Sequence, residues 1–156
     1  MPISWTADLD TGIPLIDQQH RRIVDFINHL EVAKNAGDKE AVKQIVYDCV
    51  DYTLSHFAFE ESLQEEAGYA YCKPHKKVHE LFARKVSEYQ ERMDLGDDVA
   101  EELHATLARW LVNHIKRDDA DYVESVRASM APGARALAEE KKKTGYYVLL
   151  WVVSIL

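Results

Sequence analysis

The sequence predicts an all-α protein, an antiparallel up-down-up-down four-helix bundle with an N-terminal arm and a C-terminal extension. Apolar residues recur at three- and four-residue steps in four long segments, as they do on the buried face of a helix. Short, glycine-containing breaks separate the segments, and short loops make consecutive helices antiparallel neighbours. Six glycines and four prolines in 156 residues are too few for a turn-rich β fold.

The first two helices are predicted from their apolar faces and from a capping residue. An irregular arm continues through Pro14, and the first helix then runs to about Gly37. Its buried face carries Ile16, His20, Ile23, Ile27 and Leu30. Asp38 is a typical N-cap for the second helix, which continues on helical spacing to Gly68.

The third and fourth helices follow the same logic. Pro74 suits the first turn of the third helix, which ends near Gly96. Either Asp97 or Asp98 can cap the fourth helix, which runs toward Met130. The predicted organisation is therefore a bundle over residues 1–130 and an extension over residues 131–156.

The overall composition excludes some functions. A formal net charge of −8 argues against a nucleic-acid partner, because phosphate binding needs clustered Lys and Arg. The two cysteines, Cys49 and Cys72, form no CxxC pair, and buried reduced thiols are expected. The N-terminal sequence MPISWTADLDTG has neither a basic region nor an apolar run. We therefore expect a cytoplasmic protein.

The last eleven residues, YYVLLWVVSIL, differ from the rest of the chain. They are too few to cross a bilayer as a helix, which takes about 20 residues. Preceded by the basic cluster Lys141, Lys142 and Lys143, this tail can lie at a membrane surface, pack on the bundle or form an oligomer contact. A protein or membrane-surface partner would contact residues 141–156.

Residues of the types that bind metals occur on all four predicted helices. In an antiparallel bundle the distance from the connecting loop, at about 1.5 Å per residue, sets the height of a side chain. By this measure one end of the core collects His20, His56, Glu60, His75, His79 and His114. With an aspartate that follows the last histidine, this layer holds five imidazoles and at least two carboxylates.

A metal centre explains this layer better than separate buried histidines do. Burying so many imidazoles and charged carboxylates without a cation would cost several kcal/mol per unpaired group. Imidazole and carboxylate donors without thiolate suit iron, and zinc or manganese are also chemically acceptable. Because both carboxylates can bridge, the donor count suits two ions rather than one.

The spacing in the fourth helix leaves two aspartates as candidates. Asp118 follows His114 by four residues and shares its helical face, whereas Asp119 follows by five and is rotated by about 140°. A π-type turn after His114 would bring Asp119 inward. Helical geometry alone slightly favours Asp118.

The ordered set of motifs resembles the bacterial hemerythrins over about residues 3 to 125. The matching elements are His20 in DQQH, His56 and Glu60 in HFAFE, His75 and His79 in HKKVH, and His114 with Asp119 in HIKRDD. A single HxxxE or HxxxH pair is a weak signal, but the complete ordered set is specific. The N-terminal ISW also matches the start of the family's arm.

The resemblance implies a non-haem di-iron centre with an oxo or hydroxo bridge. In it, His75, His79 and His114 hold one iron, His20 and His56 hold the other, and Glu60 and Asp119 bridge the two. The family spacing selects Asp119, and Asp118 is then expected to behave as a surface residue. No catalytic acid or base from the protein is required.

The implied function is reversible O₂ binding for transport, storage or delivery. Neutral nitrogen donors stabilise high-valent iron less than anionic oxygens do, so this site should favour O₂ binding over oxygen activation. The apolar residues expected to exclude water are Ile23, Phe57, Phe59, Leu111 and Ile115. Two alternatives are an O₂ or redox sensor that acts through a partner, and a di-iron peroxidase or NO-handling enzyme.

Overall fold

The structure, a computed structural model, describes residues 2–130, and these residues form helices joined by short loops without any strand. The predicted extension, with its basic cluster and hydrophobic tail, lies outside the described residues. The long helices are α1 (Pro14–Asn35), α2 (Lys39–Glu66), α3 (Cys72–Asp94), α4 (Ala100–His114) and α5 (Ala120–Met130). A π-helical turn, Ile115–Asp119, joins α4 to α5, so that together they form the fourth helix of the bundle.

The helices form the antiparallel four-helix bundle that the sequence predicts. Helix α1 packs against α2 and α4, and α2 packs against α3 and α5. The three loops between the long helices cover only residues 36–38, 67–71 and 95–99. No helix within residues 2–130 is long and apolar enough to cross a membrane.

Local sequence signals fix the ends of the helices. The carboxylate of Asp38 accepts a hydrogen bond from the backbone N–H of Ala41, which confirms it as the N-cap of α2. Gly37, two residues after the last residue of α1, has φ 69°, a conformation that costs glycine little. Its N–H bonds to the carbonyl of Lys34, and the next N–H bonds to that of Ala33. The loops after α2 and α3 repeat this arrangement.

Two predicted helix starts were wrong. Pro14 is the first residue of α1 rather than part of the arm, because its fixed φ and missing N–H suit a first helical position. Neither Asp97 nor Asp98 caps α4, whose N-cap is Val99 without any side-chain hydrogen bond. Asp97 is engaged elsewhere, since its carboxylate accepts a hydrogen bond from Arg92 Nε at 3.3 Å.

The N-terminal arm packs along the bundle, as predicted. The amide side chain of Asn28 on α1 exchanges two hydrogen bonds with the backbone of Ile3. The guanidinium of Arg21 lies over the Trp5 ring and pairs with Asp10 at 3.1 Å. These contacts fasten the arm along α1, from Arg21 to Asn28.

Both cysteines are free thiols. Cys49 is buried, and burial raises the pKa of its thiol to about 11, so it stays protonated. Cys72 is only half-buried, at the start of α3, which differs from the predicted burial.

Candidate metal centre

Three imidazoles from two helices meet at one point inside the bundle. His75 and His79 lie one turn apart on α3, and His114 is the last residue of α4. All three side chains are buried. Nε2 of His79 is 3.1 Å from Nε2 of His75 and 3.0 Å from Nε2 of His114. Three potential donor atoms therefore converge on one position.

A second group lies beside the first. His20 on α1 and His56 on α2 are buried, and their rings meet edge to face with centroids 4.7 Å apart. Glu60 follows His56 by one turn of α2, and its Oε2 is 3.9 Å from Nε2 of His56. His20, His56 and Glu60 each present a donor atom to a common point.

The two carboxylates lie between the groups. Oε2 of Glu60 is 3.2 Å from Nε2 of His79, in addition to its approach to His56. Asp119 places Oδ1 3.0 Å from Nε2 of His114 and Oδ2 3.2 Å from Nε2 of His20. Each carboxylate is fully buried and contacts both groups of imidazoles. The structure thus brings together all seven residues that the sequence predicts for the site.

The π-helical turn after His114 decides which aspartate enters the core. Within it the N–H of Ala120 bonds to the carbonyl of Ile115, five residues earlier instead of four. The extra residue rotates Asp119 inward to full burial, whereas the Asp118 side chain is 41% exposed. Helical-wheel geometry, which favoured Asp118, was wrong here because it assumed a regular helix.

Asp118 is nevertheless not an ordinary surface residue. Its Oδ2 accepts a hydrogen bond from Nδ1 of His114 at 2.9 Å. On α2, Oε1 of Glu61 likewise accepts from Nδ1 of His79 at 3.0 Å, and Oε1 of Gln19 on α1 is 2.8 Å from Nδ1 of His56. Asp118, Glu61 and Gln19 are called outer partners below, because each contacts the Nδ1 atom of an imidazole whose Nε2 atom faces the centre. The sequence did not predict this role for any of the three. The i,i+4 spacing after His114 was the only signal, and it was interpreted as a ligand candidate.

These outer hydrogen bonds set the tautomers of the inner imidazoles. A carboxylate only accepts hydrogen bonds, so Nδ1 carries the proton in His79 and His114. When both rings are neutral, their Nε2 atoms present lone pairs toward the same point, 3.0 Å apart. Two lone pairs at this distance repel each other unless a proton or a metal ion lies between them.

Electrostatics keep one histidine neutral and one glutamate charged. Burial lowers the pKa of His56 to about 4, so its imidazole is neutral at pH 7. Burial alone would raise the pKa of Glu60, but the imidazoles beside it, mainly His75 and His79, outweigh burial and hold that pKa well below its usual value. Neutral imidazole and ionised carboxylate are the forms that bind divalent metals.

His114 behaves differently in the metal-free protein. Burial opposes its protonation, but the nearby carboxylates of Asp118 and Asp119 outweigh burial and raise the pKa of His114 to about 9. His114 therefore carries a proton at neutral pH when no metal is bound. Metal binding at neutral pH must displace that proton.

The donor set fits metal ions on two grounds. Nε2 of His20 and both carboxylate oxygens of Glu60 and of Asp119 are buried without a satisfactory hydrogen bond, a costly arrangement unless a cation is present. In addition, cis donors about 2.1 Å from an ion are about 3.0 Å apart in an octahedron and about 3.4 Å apart in a tetrahedron. The observed separations of 3.0 and 3.1 Å are closer to the octahedral value than to the tetrahedral one.

An aromatic wall covers the group of three imidazoles. The Phe57 ring stacks on His79 with centroids 3.8 Å apart, and the Trp110 ring stacks on His114 at 4.2 Å. Phe82 stacks on the other face of Trp110 at 3.6 Å. This wall separates the centre from solvent on one side.

Two further histidines lie away from the site. His29 is exposed. His104 is buried near the start of α4. Ten residues of helix, about 15 Å, separate it from His114. Neither contributes to the centre.

Comparison with known proteins decides the family. The model of the hemerythrin HHE cation binding domain matches residues 11–126, a span that contains all seven residues of the site. The chain belongs to the hemerythrin family. It is 51% identical over 142 residues to a bacteriohemerythrin of Pseudomonas aeruginosa (strain LESB58), covering 91% of this chain and 90% of that protein. It is 50% identical over 131 residues to a bacteriohemerythrin of Stenotrophomonas maltophilia (strain R551-3), covering 84% and 86%.

Solved hemerythrin structures support the same conclusion about the fold. A crystal structure of wild-type hemerythrin aligns with a TM-score of 0.77 at 27% identity and covers 81% of this chain and 98% of that one. The resemblance and the four-helix fold predicted from the sequence are therefore confirmed.

Proposed function

We propose that this hemerythrin-family chain binds O₂ reversibly at a non-haem di-iron centre. The observation that carries the proposal is the convergence of five imidazole Nε2 atoms and two carboxylates in one buried layer. The proposed ligands are His20, His56, Glu60, His75, His79, His114 and Asp119. Membership of a family of cation-binding domains supports this assignment.

The contacts support a division of the proposed ligands between two ions. We assign His75, His79 and His114 to one iron and His20 and His56 to the other, with both carboxylates bridging. The first iron then has five protein ligands and the second has four. The iron held by His20 and His56, with one protein ligand fewer, would then offer the open position for O₂.

The bound irons supply the electrons that O₂ accepts, and the protein holds and shields them. The negative charges of Glu60 and Asp119 offset part of the cationic charge inside a buried site. Phe57 and Trp110, stacked on two of the imidazoles, keep water away from the same region. Exclusion of water and protons favours the release of O₂ over irreversible oxidation.

We propose binding rather than turnover as the main role. The site combines five neutral nitrogen donors with only two carboxylates, and such a set stabilises high-valent iron less than a carboxylate-rich set does. The sensor or delivery alternative depends on residues 141–156, which lie outside the described residues.

A pair of histidine variants tests the proposal. His56→Ala removes a proposed ligand of the O₂-binding iron, whereas His29→Ala removes an exposed histidine of the neighbouring helix. We expect His29→Ala to keep about two irons per chain and the visible absorption of the air-exposed protein. His56→Ala should lose both the O₂-dependent absorption and part of the iron. Equal behaviour of the two variants would contradict the assignment.

A further inference from the structure

The outer hydrogen-bond partners of the ligands differ in charge between the two halves of the centre. On the three-histidine side, the carboxylates of Glu61 and Asp118 accept the Nδ1 protons of two ligands at 3.0 and 2.9 Å. On the two-histidine side, the only such partner among the described residues is the neutral amide of Gln19, 2.8 Å from His56. His20 Nδ1 is buried without any hydrogen bond.

We infer that this asymmetry assigns different properties to the two irons. Glu61 and Asp118 are positioning residues that stabilise the ferric state and slow the release of the three-histidine iron, while Gln19 leaves the O₂-binding iron easier to reduce. The inference rests on the proposed function and deepens it. It concerns the chain's own outer residues, which the ligand assignment does not include.

The physical basis is the donor strength of the imidazole. A carboxylate that accepts the Nδ1 proton pulls it outward and increases electron density at Nε2, so the ring becomes a stronger donor to a metal. A neutral amide accepts the same proton more weakly. Stronger donors stabilise the more highly charged ferric ion, and this stabilisation lowers the reduction potential.

Solvent exposure indicates which of the two carboxylates should have the larger effect on the iron. The Glu61 side chain is 14% exposed, against 41% for Asp118, so solvent screens Glu61 less. Lys76 lies 3.0 Å from Oε2 of Glu61 and offsets part of its charge, but the Oε1 atom remains directed at His79. Glu61 should therefore have the larger effect.

Isosteric exchanges test the inference directly. Glu61→Gln and Asp118→Asn remove a charge while keeping the size of the side chain, and Gln19→Glu adds one on the other side. Glu65→Gln is the matched control, because it removes an exposed glutamate one turn from Glu61. The measurements are the midpoint potential from a mediated reductive titration and the rate of iron transfer to an excess of chelator.

We expect Glu61→Gln to release iron about 10- to 100-fold faster, because losing such a partner usually lowers metal affinity by about that factor. Its ferric–ferrous equilibrium should shift toward ferrous at least tenfold, which is about 59 mV for a one-electron couple. Asp118→Asn should change the rate of iron release and the midpoint potential in the same direction, but by less. Gln19→Glu should lower the potential, and Glu65→Gln should match wild type.

Several results would overturn the inference. One is a wild-type potential in both Glu61→Gln and Asp118→Asn; another is a raised potential in Gln19→Glu. A purely structural role would change iron release without these opposite shifts in potential. If Glu61→Gln fails to fold, Asp118→Asn and Gln19→Glu still decide the question. A wild-type protein without two irons would contradict the proposed function itself. A protein that holds two irons but whose midpoint potential does not change in these variants would contradict only the present inference.

Discussion

Replacing Asp119 by alanine tests the consequence of the π-helical turn. Its two carboxylate oxygens lie 3.0 Å from Nε2 of His114 and 3.2 Å from Nε2 of His20, one in each group of ligands. On the proposed ligand assignment, alanine removes one ligand from each iron. Asp118→Ala provides the comparison, because it removes only the acceptor of the outer hydrogen bond from His114.

The contacts set the expected magnitudes. Losing an outer partner lowers metal affinity by about 10- to 100-fold. We place Asp118→Ala at the lower end of that range, about 1.4 kcal/mol, because its side chain is 41% exposed. Losing a direct ligand of both ions should exceed 100-fold, or about 2.8 kcal/mol at 1.4 kcal/mol per tenfold.

Metal analysis provides the assay. Each variant is loaded with ferrous iron without air, passed over a desalting column and analysed for iron per chain. Asp119→Ala should retain less than one iron, and Asp118→Ala should retain close to the wild-type content but lose it faster to a chelator. Full iron content in Asp119→Ala, or a greater loss in Asp118→Ala, would refute the assignment of the inward aspartate.

Three other changes give distinct expectations. Glu60→Ala should sharply lower iron content by removing the second bridge, and an unchanged content and spectrum would place that bridge elsewhere. Phe57→Ala should destabilise the protein by about 3–5 kcal/mol in urea unfolding and speed irreversible oxidation, since the ring is buried against His79; a cost below 1 kcal/mol would contradict that packing. In the metal-free protein, His114 has its pKa raised from 6.5 to about 9, so its stabilisation is complete below pH 6.5 and lost toward pH 9. The difference in urea midpoint between wild type and Asp118→Asn should shrink over that interval, and a constant difference would show that Asp118 does not raise this pKa.

Much of the fold could be predicted from the sequence because local signals agreed with one another. The apolar periodicity gave four helices, and Asp38 capped α2 as expected. Glycines at positive φ, such as Gly37, marked the loops. The predicted start of α4 failed because a short-range interaction outweighed a general preference. At Asp97, the ion pair with Arg92 engages the carboxylate that the sequence offers as a cap.

The inner residues of the site were predictable for a different reason. Ligand types at i,i+4 spacing, as in His75 and His79, recur at matching heights on antiparallel helices, and helical geometry converts that pattern into proximity. The π-helical turn could not be derived from spacing, because a regular helix predicts Asp118. Resemblance to the hemerythrins, rather than periodicity, selected Asp119.

The outer partners were missed because their signal is weak. Glu61 directly follows a ligand and Gln19 directly precedes one, and such neighbours normally point away from a shared helical face. Only the structure shows their side chains returning to Nδ1 of His79 and of His56. A hydrogen bond from the far side of an imidazole depends on side-chain rotamers, which sequence periodicity does not encode.

The main proposal for this protein is that two irons in one chain bind O₂ reversibly. The most direct test is to reduce the iron-loaded protein without air, admit O₂ in a gas-tight optical cell, and then remove the gas without adding reductant. We expect uptake of one O₂ for about two irons, with a visible absorption that disappears on degassing and returns with O₂ over repeated cycles. An absorption that persists after degassing, or a protein that binds a single zinc and no O₂, would contradict it.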